Sequence, residues 1–293
     1  MCPKSLSFSC LASAITAASL TVATAQSPPD RATSTLGTKE LVGQIGPNRY
    51  YTPVNQVLTP AGLQVDLPDM RPQALALSPN GRLLVTSGIT HELVVLDPRS
   101  GQIRQRVPLP FETDRDPTPK PVTDRILEPE KNGQLSFTGL IFSPDGSRIY
   151  LANVDGSVKV FGVAQDGAVA RMFTIPLPPA NAPGRKAEIP SGLAISPDGK
   201  LLYVVLNLSN RLAELDAASG KVLRLWDVGV APFDVAIAGH HAYVSNWGGR
   251  RPDANSVTGP AGQGTLVRVD PLRYIADEGS VSVIDLSADS GSS

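Results

Sequence analysis

Apolar and polar positions alternate with period two in short bursts along most of the chain, and each burst is bounded by turn-forming residues. The clearest example is IPSGLAISPDGKLLYVVLN, residues 189–207. Leu193 and Ile195 alternate with small residues, Ser196-Pro197-Asp198-Gly199 has the chemistry of a tight turn, and Leu201 to Leu206 is rich in β-branched and aromatic side chains. The pattern predicts a β-hairpin. It recurs as RPQALALSPNGRLLVTSG from Arg71 and FTGLIFSPDGSRIYLAN from Phe137, and in degenerate form as APFDVAIAGHHAYVSN from Ala231. The chain is therefore a repeat array.

Each unit extends to four strands. In the third copy strand A covers 191–195, B 201–206, C 211–216 and D 221–227, with Ala217-Ala218-Ser219-Gly220 turning C into D. Four antiparallel strands form one blade of a β-propeller, and the 42-residue step from Pro190 to Pro232 suits a blade of that size. The expected fold is all-β, a propeller of about four such blades, with repeats at about 71–107, 137–175, 190–227 and 231–286 within a propeller region spanning 58–293. TPAGLQVDLPDMRP resembles the segment that precedes each later hairpin, so an orphan D strand is expected over 58–67, after a loosely ordered Pro- and Gly-rich stretch at 26–57. Three insertions interrupt the period: 111–134 and 176–188 between D and A strands, and WGGRRPDANSVTGPAGQGTLVRVDPLRYIADE between B and C of the last unit. Such loops carry function more often than strands do, but Pro-rich inserts like the first two are expected to be solvated spacers.

Composition adds bounds. The 293 residues are 41% hydrophobic and 18% charged with a net charge of −1, which disfavours nucleic acid or an anionic membrane as partner. Residues 1–25 have a single charge at Lys4, an apolar and small-residue run, and Ala23-Thr24-Ala25 before Gln26, the features of a signal peptide cleaved near Ala25. The product is expected to be periplasmic or extracellular, without a stable membrane anchor. Both cysteines, Cys2 and Cys10, lie in that segment, so the mature chain has neither disulfide nor thiolate chemistry.

Candidate chemistry is sparse. His240 and His241 replace a turn and point to opposite faces, His91 sits in a B-to-C connection, and no nucleophile elbow, P-loop, HExxH or EF-hand pattern occurs. No cofactor, metal site or catalytic residue is predicted. Trp247 beside Arg250 and Arg251 in a Gly-rich loop could stack on and bridge an anionic or polysaccharide ligand; alternatively Trp247 packs on the blade edge and the arginines pair with Asp253 or Asp270. Asn153, Asn207 and Asn246 close B strands, where they either bond blade backbone or line a ligand site. Asp97, Asp216 and Asp285 end C strands and are expected to cap turns, as Asp145 and Asp198 do in the hairpins.

The ISPDGKLLYVVLN, FSPDGSRIYLAN and HHAYVSN units resemble the YVTN-type β-propeller repeat family. TPAGLQVDLPDMRPQALALSPNGRLLV, YVSNWGGRRPD and GSVSVIDL are similar to the N-terminal propeller of exported bacterial proteins that continue into an alkaline-phosphatase-superfamily phosphoesterase domain. That resemblance implies seven blades and a metal-dependent domain with no counterpart here, and the chain stops in SADSGSS where a D strand is due. It implies an incomplete propeller, the front part of a longer protein; the physical alternative is that Leu63 to Leu67 completes the last blade and closes a four-bladed ring. Two function classes follow: a non-catalytic module binding a protein, small molecule or polysaccharide, or a lactonase or sugar-acid hydrolase with a channel active site. The lack of convergent His and acid pairs favours the first.

Overall fold

The computed structural model describes residues 41–54, 56–117 and 133–288. The expected signal peptide and most of the first insertion lie outside the described residues. The chain divides into two units, Met1–Gly62 and Leu63–Ser293.

In the first unit β1 (Gly43–Gly46), β2 (Arg49–Tyr51) and β3 (Val57–Leu58) pair antiparallel in that order. Asn48 makes the β1–β2 turn in the left-handed region at φ 50°, a conformation Asn tolerates, and its side-chain amide donates to the Gly62 carbonyl at 2.7 Å. Part of the stretch whose composition implies loose order is thus a small sheet.

The second unit is a run of blades. Blade 1 is β4 (Arg71–Leu77), β5 (Leu84–Ile89), β6 (Glu92–Leu96) and β7 (Ile103–Pro108); blade 2 is β8 (Leu135–Phe142), β9 (Arg148–Asn153), β10 (Ser157–Val163) and β11 (Val169–Pro176); blade 3 is β12 (Pro190–Ile195), β13 (Leu201–Leu206), β14 (Arg211–Asp216) and β15 (Val222–Asp227). All pair antiparallel in sequence order. Blade 4 is β16 (Pro232–Ala238), β17 (His241–Asn246) and β20 (Ser280–Asp285), with a satellite hairpin of β18 (Thr258–Pro260) and β19 (Leu266–Arg268) in its B-to-C insertion. The fold is a β-propeller, and among the described residues its fourth blade has three strands.

The period-two pattern places the cores between blades. Val85, Leu93 and Val95 of blade 1 meet Leu140, Phe142 and Leu151 of blade 2; Tyr150, Val158 and Val160 meet Leu193, Leu202 and Val204; Tyr203 and Leu212 meet Val235, Val244 and Ile284. The strand expected over 58–67 takes another form: Val57–Leu58 pairs with β2, and Val65 and Leu67 pack without strand pairing against Met70, Val94 and Leu96 on the outer face of blade 1. Apolar burial there replaces the ladder bonds of a fourth strand. Leu63–Leu67 therefore does not close a four-bladed ring.

The hairpin turns follow the logic of their sequence. Ser143 Oγ and Ser196 Oγ bond Asp145 and Asp198 at 2.6 Å, Asp198 also accepts the Lys200 N–H at 3.2 Å, and Gly146 and Gly199 sit at φ 73°. Asp97, Asp216 and Asp285 accept bonds from the turns that follow the C strands.

Candidate functional site: the loop-bearing rim

Strand polarity decides where the long loops meet. The first residues of A strands lie opposite the last residues of B strands: Leu135 faces Asn153, Pro190 faces Leu206 and Pro232 faces Asn246. D-to-A and B-to-C connections therefore share one rim, whereas the opposite rim, among the described residues, holds the short A–B and C–D turns. The described parts of all three insertions, and all six residues singled out as candidate ligand contacts, belong to the first rim or to the loops that rise from it.

Two of the insertions are tied together there. The Gly184 N–H donates to the Gln263 carbonyl at 2.8 Å, and Gly184 has no room for a Cβ against Gln263. The 176–188 loop is anchored by Glu188, which is buried; its Oε1 accepts the N–H groups of Ile189 and Leu208 at 2.8 Å, and Oε2 that of Ser209 at 3.1 Å. Arg185 donates to the Val154 carbonyl at 2.6 Å. The loop is thus built into blades 2 and 3 rather than being a solvated spacer.

Trp247 lies flat on Phe233, with ring centroids 4.4 Å apart and planes 6° apart, and Phe137 meets Phe233 edge-on at 5.4 Å. This joins the A strands of blades 2 and 4. The Trp247 and Gly248 N–H groups donate to the Ala231 and Val230 carbonyls at 3.1 and 2.9 Å, holding the indole over the start of β16. One indole face is covered by Phe233, yet the residue is 67% exposed, so the other face is open to solvent. An exposed, rigidly backed indole is an apolar platform with a polar N–H edge.

The arginines have other employment. Arg250 pairs with Glu278 at 3.1 Å and Arg268 reaches the same carboxylate at 3.2 Å; the Arg250 hydrogen bond holds the Glu278 carboxyl below its ordinary range. Arg251 donates to the Val228 carbonyl at 2.6 Å and to Asn210, and pairs with Asp227 at 3.2 Å. Burial raises the Asp227 carboxyl, but Arg211 and Arg251 outweigh it and leave it lowered. The partners are Glu278 and Asp227 where the sequence suggested Asp253 or Asp270; Asp253 instead holds Arg268 at 3.2 Å.

The three asparagines divide. Asn207 donates to the Pro232 carbonyl at 2.8 Å, beside Ser191 Oγ at 3.0 Å, linking the A strands of blades 3 and 4. Asn153 belongs to a buried cluster in which its amide meets Glu112 at 3.1 Å and Ser157 at 3.0 Å, while the fully buried Lys159 ammonium contacts Glu112 Oε1 and the Pro110 carbonyl, both at 2.6 Å. Asn246 is buried, its amide nitrogen 3.1 Å from Ser280 Oγ and Ser282 Oγ, and its Oδ1 has no partner among the described residues. His91 Nδ1 lies 2.6 Å from the Gly133 carbonyl, a loop contact rather than free solvation. Among the described residues no three His, Cys, Asp or Glu side chains are grouped to hold a metal ion.

Sequence reading missed Phe137 and Phe233 as partners of Trp247, and Glu112 and the buried Glu188 as anchors. The acids stand in Pro-rich insertions with no periodicity to mark them.

The blades and this rim define the chain as a β-propeller protein. The family model described as Lactonase, 7-bladed beta-propeller, matches residues 139–246, which covers blades 2 and 3 and part of blade 4. No curated protein matches the chain. Among solved structures it is similar to Kuenenia stuttgartiensis hydrazine synthase (20% identity, TM-score 0.46, 76% of this chain and 52% of that one) and to the β-propeller domain of Myceliophteria thermophila Cps50 (Swd1) (11%, 0.47, 68% and 58%). A functionally unknown protein from Desulfotomaculum acetoxidans DSM 771 is similar at 16% identity and TM-score 0.43, over 68% of this chain and 55% of that one. The chain spans about half the length of these structures.

Proposed function

We propose that this chain is an exported, non-catalytic propeller of YVTN type that binds a neutral saccharide on its loop-bearing rim, serving a phosphoesterase activity of the kind the family resemblance implies. The observation that carries the reading is the open face of Trp247, backed by Phe233 at 4.4 Å. The pairing of Arg250 with Glu278 and of Arg251 with Asp227 removes the guanidinium groups from the role of bridging an anion, which leaves stacking on a sugar ring as the recognition chemistry. Affinity electrophoresis in laminarin, dextran and dextran sulfate tests this. Retardation by a neutral glucan that falls at least about tenfold in Trp247→Ala is expected, since losing one such stacked aromatic is worth roughly 1.5–3 kcal/mol. Retardation by dextran sulfate alone would overturn it.

The second reading is a propeller hydrolase of the lactonase type, favoured by the family match over 139–246. Hydrolysis of aliphatic lactones, assayed with and without Ca²⁺, Mn²⁺ or Zn²⁺, separates the two: turnover unaffected by Trp247→Ala supports the hydrolase.

A further inference from the structure

The repeat shows where blade 2 departs from its neighbours. Ser136 Oγ donates to the Pro190 carbonyl and Ser191 Oγ to the Pro232 carbonyl, so the same bond ties each A strand to the next. Leu135 faces Asn153 as Pro190 faces Leu206. In blade 3 Gly192 and Leu193 follow Ser191 directly, whereas in blade 2 Phe137 and Thr138 stand between Ser136 and the matching Gly139 and Leu140. This extra dipeptide bulges out of the ladder, whose register breaks between Leu135 and Leu140. Phe137 sits in the bulge at φ 50°, a left-handed conformation that a bulky side chain adopts only at a cost.

The displaced ring meets Phe233 edge-on at 5.4 Å, although β12 of blade 3 packs between β8 and β16. Phe233 holds the place that Ser136 and Ser191 hold in their blades, and there it stacks under Trp247 at 4.4 Å instead of bonding a neighbouring blade. The Ala231 carbonyl that accepts the Trp247 N–H belongs to a second left-handed residue, φ 49°, whose own N–H is held by Asn210 Oδ1 at 2.9 Å. Strain of this kind persists where packing over-determines it, and it gathers at ligand sites. We propose that Phe137 is a positioning residue of the rim site: it braces Phe233 and so fixes the plane of the Trp247 indole on which a sugar ring stacks. The inference rests on the saccharide reading above. A platform fixed in advance loses less freedom on binding.

Affinity electrophoresis of the mature full chain in laminarin compares Phe137→Gly, Phe137→Tyr, Trp247→Ala and Phe137→Gly/Trp247→Ala with the wild type. Glycine suits the left-handed backbone, so Phe137→Gly removes the ring without straining the bulge, and its urea midpoint checks the fold. Phe137→Leu, apolar but without a ring, is the second variant should glycine loosen the blade. Phe137→Gly should weaken retardation about two- to tenfold, the worth of one aromatic pair, and Phe137→Tyr should keep it. The double variant should be no weaker than Trp247→Ala, because Phe137 acts through the indole. In a Trp226→Phe background, Phe137→Gly should also lower the fluorescence anisotropy of Trp247 in the folded, ligand-free chain. Retardation that falls in Trp247→Ala but not in Phe137→Gly overturns the inference and leaves the saccharide reading standing, as does unchanged anisotropy. Retardation unchanged in Trp247→Ala overturns that reading and this inference with it. A double variant weaker than Trp247→Ala would put Phe137 on the ligand and overturn its positioning role.

Discussion

Glu188 shows how much one side chain organises on the rim. Its carboxylate is buried and accepts three backbone N–H groups, so it fixes the exit of the 176–188 loop against the turn at 207–209. Removing it strands buried donors, each costing about 1–3 kcal/mol. Glu188→Ala should destabilise the fold by about 3 kcal/mol in urea denaturation, and Glu188→Gln by less; a loss under about 0.5 kcal/mol would show that water replaces the carboxylate. The sequence offers no local sign of this role, since a lone Glu after a Pro-rich run matches no period. Trp247 stands at the other extreme. Its place in a Gly-rich insertion marked it at once, but its partner Phe233 lies across a strand pairing that local pattern does not encode.

At the scale of the element, the hairpin is what the sequence states best. Ser-Pro-Asp-Gly fixes the turn, alternation fixes the faces, and the 42-residue step fixes the blade. The orphan strand was read from the same signs and came out differently: Val65 and Leu67 bury their side chains against Met70, Val94 and Leu96 of blade 1 and pair with no strand. The turn aspartates carry a pH prediction. Asp145 and Asp198 are held below the ordinary 3.8 chiefly by hydrogen bonds from Ser143 and Ser196, and Asp216 and Asp285 by those from Ser219 and Ser287. A carboxyl lowered on folding adds stability above its unfolded value and loses it as the pH falls through the folded one. The urea midpoint should therefore stay level from pH 7 to about 5 and fall below pH 4. Asp198→Asn/Asp216→Asn should flatten that fall; an unchanged slope would contradict the assignment.

At the scale of the molecule, strand polarity sorts chemistry to one rim and plain turns to the other. The blade count was legible from the repeat, whereas the bond from Gly184 to Gln263 joins loops about eighty residues apart and only the fold brings them together. The opposite rim does hold a cleft between blades 1 and 2, lined in part by Arg82, Arg104, Asp145 and Asp166, but Arg104 is paired with Asp97 and Asp145 with its own turn. Amide hydrogen exchange of the mature chain, with and without soluble laminarin, tests most directly which rim binds. The account predicts slowed exchange confined to residues 230–233 and 246–251 and to the start of β8 around Phe137. Protection of the turns at 78–83 and 143–148 instead, or none anywhere at saturating glucan, would contradict it.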